Sequence, residues 1–151
     1  MECLGEVITT FRQKRQDKQV KYERRVLKEI TPKRLKESFQ VFLNLQHSLG
    51  VTFSKVLEEG CYDVAIESFL LGAHFSKFGF YGESENDVKE RCAEQIHHLV
   101  ETLYNFFLYW GKVSNHDLYS EALHYECEQF VLNWWKEGFV KGEKRYKLRL
   151  H

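Results

Sequence analysis

TFSKVLEEGCYDVAIESFLLGAHFSKFGFYG, residues 52–82, is the most apolar segment of the chain. At about 100° per residue, Phe53, Leu57, Cys61, Val64, Ser68, Leu71 and Phe75 share one face of a helix, and Tyr62, Ile66, Phe69, Leu70 and Ala73 cover its other sides. A helix that is apolar nearly all round must be surrounded by others. Thr52 supplies an N-cap, and the run Phe78-Gly79-Phe80-Tyr81-Gly82 ends the element, because glycine reaches left-handed turn conformations without strain. This segment predicts an all-α protein with its third helix at the centre.

The flanking sequence supports that reading. One proline in 151 residues leaves few helix breaks. Residues 10–30 form a basic helix whose packing end carries Tyr22, Val26, Leu27 and Ile30. Thr31-Pro32 then restarts the chain, threonine as N-cap and proline at the first helical position. The second helix runs to about Ser48 and buries Leu35, Phe39, Phe42 and Leu43, with Gly50 as its stop. Ser84 followed by Asp87 resembles a capping box. The helix it opens places Cys92, Ile96, Leu99, Leu103, Phe106 and Trp110 at alternating steps of four and three, the seam of a nearly antiparallel neighbour. The fifth helix, about 117–136, turns Tyr119, Leu123, Cys127, Phe130 and Trp134 inward, and Gly138 and Gly142 loosen its end. The last residues, 145–151, alternate basic and apolar with period two. They are expected as an extended tail, the other option being a short strand beside Glu6-Val7-Ile8-Thr9. The expected architecture is a single domain of about five helices: a basic helix over 10–30, a helical core over 32–137 and a basic tail over 138–151.

Composition narrows the function classes. With 43% hydrophobic and 29% charged residues the chain is neither disordered nor a membrane protein. No stretch approaches the roughly 18 apolar residues of a membrane helix, and the start MECLGEVITTF lacks the plan of a signal peptide, so a cytoplasmic location is expected. Cys3, Cys61, Cys92 and Cys127 show neither CxxC nor zinc-finger spacing. Cys61, Cys92 and Cys127 fall on apolar helix faces, where cysteine acts as a small hydrophobe. Net charge is zero but segregated: residues 1–50 carry 11 basic and 6 acidic groups, 51–128 carry 5 and 14, and 129–151 carry 6 and 2. An acidic middle between basic ends bears on partners, not on fold.

Several stretches occur together: Glu59-Gly60-Cys61, Ala65-Ile66-Glu67 with Leu71-Gly72, the run from Phe78 to Ser84, Trp134-Trp135 with Gly138-Phe139-Val140, and Lys147-Leu148-Arg149. Through them the chain resembles the YbaK family of bacilli over its whole length, a different family from the aminoacyl-tRNA editing proteins of that name. The resemblance implies a cytoplasmic protein of unknown function and supplies no catalytic residue to carry over.

Chemistry must then be sought in the residues themselves. Two Glu-x-x-His pairs, Glu94/His97 and Glu121/His124, have the spacing used in di-iron bundles, but both project away from the apolar face of their own helix. His97-His98 with Glu94 and Glu101 reads as decoration of an outer face. No glycine-rich phosphate loop is present and no nucleophile triad can be nominated. Nothing points to an enzyme, and no cofactor is expected. Glu59, Asp63, Glu67 and His74 fall within about 80° of one another on the central helix. They are either its solvent-facing edge, partners of lysines and arginines, or a polar pocket for a metal or small ligand, with His74 as the titrating member. At the C-terminal end only one of Trp134 and Trp135 is expected to face the core. Trp134 has the right phase, which leaves Trp135 half-exposed beside Phe139 as an interface anchor. Lys144, Arg145, Lys147 and Arg149 add cations there. Nucleic-acid binding is disfavoured, because the basic residues spread round their helix and the middle of the domain would repel a polyanion. The leading expectation is a non-enzymatic interaction or regulatory protein that self-associates or meets a protein partner. The alternative is metal or small-ligand binding by the acidic stripe, and the weakest is nucleic-acid binding by the basic ends.

Overall fold

A computed structural model describes residues 2–48, 55–110 and 117–148. Of the residues singled out above, Gly50, Thr52, Phe53 and Arg149 lie outside the described residues, as do the side chains of Cys3, Phe42, Leu43, Trp110 and Tyr119. The described chain is all helical: α1 (Glu2–Leu27), α2 (Pro32–Ser48), α3 (Lys55–Phe80), α4 (Glu85–Arg91), α5 (Ala93–Trp110) and α6 (Asp117–Lys147).

Local chemistry sets most of the boundaries. Thr31 Oγ1 accepts the Arg34 amide at 3.1 Å, the cap that opens α2. The α3 helix closes with a Schellman turn: Glu83 N–H donates to the Phe78 carbonyl (3.0 Å) and Gly82 N–H to Gly79 (3.1 Å). Gly82 takes the left-handed position at φ 112°. Ser84, extended at φ −69° and ψ 157°, then caps α4 by accepting the Asp87 amide at 3.1 Å.

Six helices replace the expected five because the segment after Ser84 breaks at Cys92. There the amide bonds back to the Lys89 carbonyl (3.2 Å), an i→i−3 turn that redirects the chain. The apolar periodicity runs through the break, with Val88 and Cys92 both fully buried, so no polar residue marks it. The core face of α5 is also turned slightly from the expected seam. Ile96, Val100, Leu103 and Phe107 are the buried residues among those described, with Leu99 and Phe106 packed at the margin.

At the centre α3 lies against α1, α2, α4, α5 and α6, and its main partner is α6. The two run parallel. Phe69 meets Gly138, Ala73 and Ser76 meet Gly142, and the Phe80 ring stacks on Tyr146 at 5.8 Å. Parallel helices this close need small residues at the crossing. A Cβ on Gly72 would land on the Trp135 carbonyl oxygen, and one on Gly138 on the Phe69 carbonyl oxygen, so backbone touches backbone. The α5 helix packs antiparallel to α6, as expected, with Glu101 opposite His124.

Two expectations for the C-terminal segment are corrected. Residues 138–147 are helix, not an extended tail, and residues 6–9 lie within α1, so the alternative strand pairing does not form. Gly138 and Gly142 continue α6 because their missing side chains make room for α3. Trp135 and Phe139 are not half-exposed: they are 0% and 5% accessible and stack on each other at 5.1 Å. Lys89 of the short α4 lies over the Trp135 ring, its Nζ 5.8 Å from the centroid. Trp134 is buried too, about 100° round the helix, edge-on to Phe69 at 6.3 Å. Both tryptophans are inside because α6 has neighbours on two sides.

Candidate functional site

The thiols face inward and are chemically quiet. Cys61, Cys92 and Cys127 are free and fully buried. Burial pushes the Cys61 and Cys127 thiols far above the ordinary thiol range, with Glu58 adding to the effect at Cys61. A thiolate nucleophile at either position is strongly disfavoured.

The acidic stripe on α3 is exposed along its length: Glu59, Asp63, Glu67 and His74 all face solvent. Glu67 and His74 line a shallow cleft together with Gln19 and Glu23 of α1 and with Leu70 and Leu71. Partial burial and the Lys77 cation lower the His74 pKa, against a smaller opposing pull from Glu23. Among the described residues no three His, Cys, Asp or Glu side chains converge as a metal site. Glu94, His97, His98 and Glu121 are exposed, in keeping with their outward phase. His124 is different: its Nε2 lies 2.8 Å from Glu101 Oε1 across the α5–α6 seam, and its ring meets Tyr104 edge-on.

The C-terminal cations are divided by the structure. Arg145 reaches across to the end of the α1 segment, where its guanidinium pairs with Glu29 at 3.1 Å and keeps only 12% of its side chain accessible. Lys147 pairs with Glu143 at 3.4 Å, and Lys144 is exposed. Arg145 is therefore a clamp between α6 and the first helical segment rather than a free surface cation.

Two features were not read from sequence. The first is a groove between α2 and α6, made of two adjoining cavities of about 200 and 700 Å³ that share Arg34, Asn133, Trp134 and Glu137. Arg34 pairs with Glu137 and sits over the Trp134 ring, 5.4 Å from its centroid. The Trp134 indole donates to Ser38 Oγ at 2.8 Å. These contacts join residues about a hundred positions apart, and no local motif signals them. The second is the state of α1. Its residues 12–18 are all exposed, on every face of nearly two helical turns. Beyond this stretch Gln19 and Tyr22 are partly buried, and the Tyr22 hydroxyl donates to the Ala73 carbonyl at 3.1 Å. The basic character of this stretch was legible in the sequence; its exposure on every face was not.

No described helix is long and apolar enough to cross a membrane. Over residues 5–151 the sequence matches the family model described as "Protein of unknown function (DUF2521)". The "Uncharacterized protein YbaK" of Bacillus subtilis (strain 168) is 30% identical over 147 residues, which span 97% of this chain and 99% of that protein. No solved structure matches. The resemblance carried by the glycine–aromatic segments thus holds over nearly the whole length, and the chain belongs to the DUF2521 family.

Proposed function

We propose that the protein is a non-enzymatic interaction protein that self-associates, the exposed basic stretch of α1 in one copy lying along the exposed acidic stripe of α3 in a second. The observation that carries this reading is the exposure of residues 12–18 on every side. A helical stretch exposed on every face is marginal in water, so this part of α1 gains most from a partner. Its charge specifies what kind. Lys14, Lys18, Lys21 and Arg25 recur at steps of four, three and four, and Glu59, Asp63 and Glu67 at steps of four, so the two stripes share a repeat of about 6 Å. Within one copy Gln19 and Glu23 of α1 share a cleft with Glu67 and His74, and Glu59 and Asp63 do not line it. A two-fold arrangement satisfies both stripes at once, since each copy offers one of each sign. This reading moves the expected contact from the C-terminal aromatics, which are buried, to the charged helices.

A charge-swap experiment tests it. Lys14→Glu with Lys18→Glu, and separately Glu59→Lys with Asp63→Lys, should each give monomers by sedimentation velocity, and mixing the two variants should restore a complex. Self-association of either variant at wild-type strength, or no complex on mixing, would contradict the assignment. Because all four positions are exposed, each variant should retain its helical circular dichroism.

A further inference from the structure

The α2–α6 groove lies apart from the α1 and α3 stripes and has its own chemistry. Along α6 its floor and wall present Glu126, Gln129, Asn133, Glu137 and Lys141, one residue per turn over about 22 Å. Beneath them Phe130 and Trp134 are almost fully buried, and Arg34 lies over the Trp134 ring. The facing wall, from α2, is Arg34, Ser38 and Val41. Two of its polar groups are already committed: Arg34 is held by Glu137, and Ser38 accepts from the Trp134 indole. No hydrogen bond among the described residues uses the side-chain amide of Gln129 or of Asn133, and Glu126, Lys136 and Lys141 make no ion pair there.

We propose that this groove binds an extended segment of a partner protein, about seven residues long, with a basic side chain at the Glu126 end and an acidic one at the Lys136/Lys141 end. A primary amide offers both donors and an acceptor, and so can pair with the N–H and C=O of one peptide residue. Gln129 and Asn133 stand one turn apart, about 6 Å along the helix, close to the repeat of about 6.7 Å between alternate residues of an extended chain. They can therefore hold alternate main-chain units of one strand. The charges at the two ends fix the direction in which the segment lies, since the reversed strand would set like charges together. The Arg34–Glu137 pair over Trp134 stiffens the middle of the site, so less ordering is left to occur on binding.

Selection of a phage-displayed random octapeptide library tests this, using the full chain as bait and the Gln129→Ala/Asn133→Ala variant for counter-selection. Enriched peptides should carry a basic and an acidic residue about six positions apart. Their affinity should fall at least tenfold on the double variant, and again when the peptide is N-methylated at alternate residues, which removes main-chain donors without changing side chains. Exchanging Glu126 for Lys should shift the selected basic residue to an acidic one. No enrichment over the double variant, or enriched peptides indifferent to N-methylation, would overturn the proposal; the latter result would indicate a helix or a side-chain-only contact. Sedimentation of the Gln129→Ala/Asn133→Ala variant should match wild type, so failure here is separable from failure of self-association.

Discussion

The two long edges of α6 are built on opposite plans. Toward α3 the helix presents Gly138 and Gly142 and touches backbone to backbone, leaving no room for a side chain. Toward α2 it presents Gln129, Asn133 and Glu137, and the helices stand apart around open cavities. The first edge maximises dispersion and the exclusion of water. The second keeps polar groups wet and adds little to stability. One helix thus serves as a structural spine on one side and an accessible surface on the other.

The sharpest way to break that contrast is to put a methyl group into the tight edge. Gly138→Ala or Gly72→Ala forces two helix backbones apart and should cost about 3 kcal/mol or more, read by urea unfolding. The same variants should bring Cys61 and Cys127 within reach of a thiol reagent under conditions where the wild-type thiols stay silent, because the seam that buries them opens. A substitution of similar size on the open edge, Asn133→Ala, should change stability by no more than about 0.5 kcal/mol. Between these extremes lies the Arg145–Glu29 clamp. Arg145→Met keeps the aliphatic packing but strands a partly buried carboxylate, with an expected loss of about 1–2 kcal/mol by the same measurement.

Gly82 separates conformational strain from steric exclusion. Nothing lies within 4 Å of its would-be Cβ, yet its φ of 112° disfavours any other residue. Gly82→Ala should cost about 1 kcal/mol, and Gly82→Asn less, since asparagine tolerates left-handed conformations. The smallest effect concerns His74. Its folded-state pKa lies below the ordinary value of 6.5, so the folded protein disfavours the imidazolium. The linked stability is complete above the unfolded-state pKa and declines as pH falls through the lower folded-state value. A His74→Gln variant should flatten that portion of the pH–stability curve and leave the neutral-pH value unchanged.

Much of this organisation was legible in the sequence because it depends on local chemistry. Thr31-Pro32 and Ser84 set helix starts through caps that involve residues only three positions away, and Gly82 ends α3 through its own backbone. The all-round apolar character of residues 55–80 placed that helix at the centre. What failed to show was anything depending on a second neighbour. Counting angles from Trp134 left Trp135 outside, because nothing nearby in sequence announces that α4 folds over it. Gly138 and Gly142 resemble helix breakers until Phe69 and Ala73 are seen against them. The period-two pattern of 145–147 suggested extension, yet Tyr146 stacks on Phe80 and Arg145 reaches Glu29 from a helix. Glu59, Asp63, Glu67 and His74 lie on α3 with exposed side chains, a placement that helical periodicity alone can give. The α2–α6 groove, by contrast, pairs Arg34 with Glu137 across most of the chain and has no local signature.

Self-association through α1 is the claim on which the functional reading turns, and sedimentation equilibrium of the unmodified protein tests it most directly. The expected result is a monomer–dimer equilibrium at low ionic strength that shifts toward monomer as salt screens the facing stripes. A strictly monomeric protein at every concentration and salt, or a dimer indifferent to salt, would contradict it.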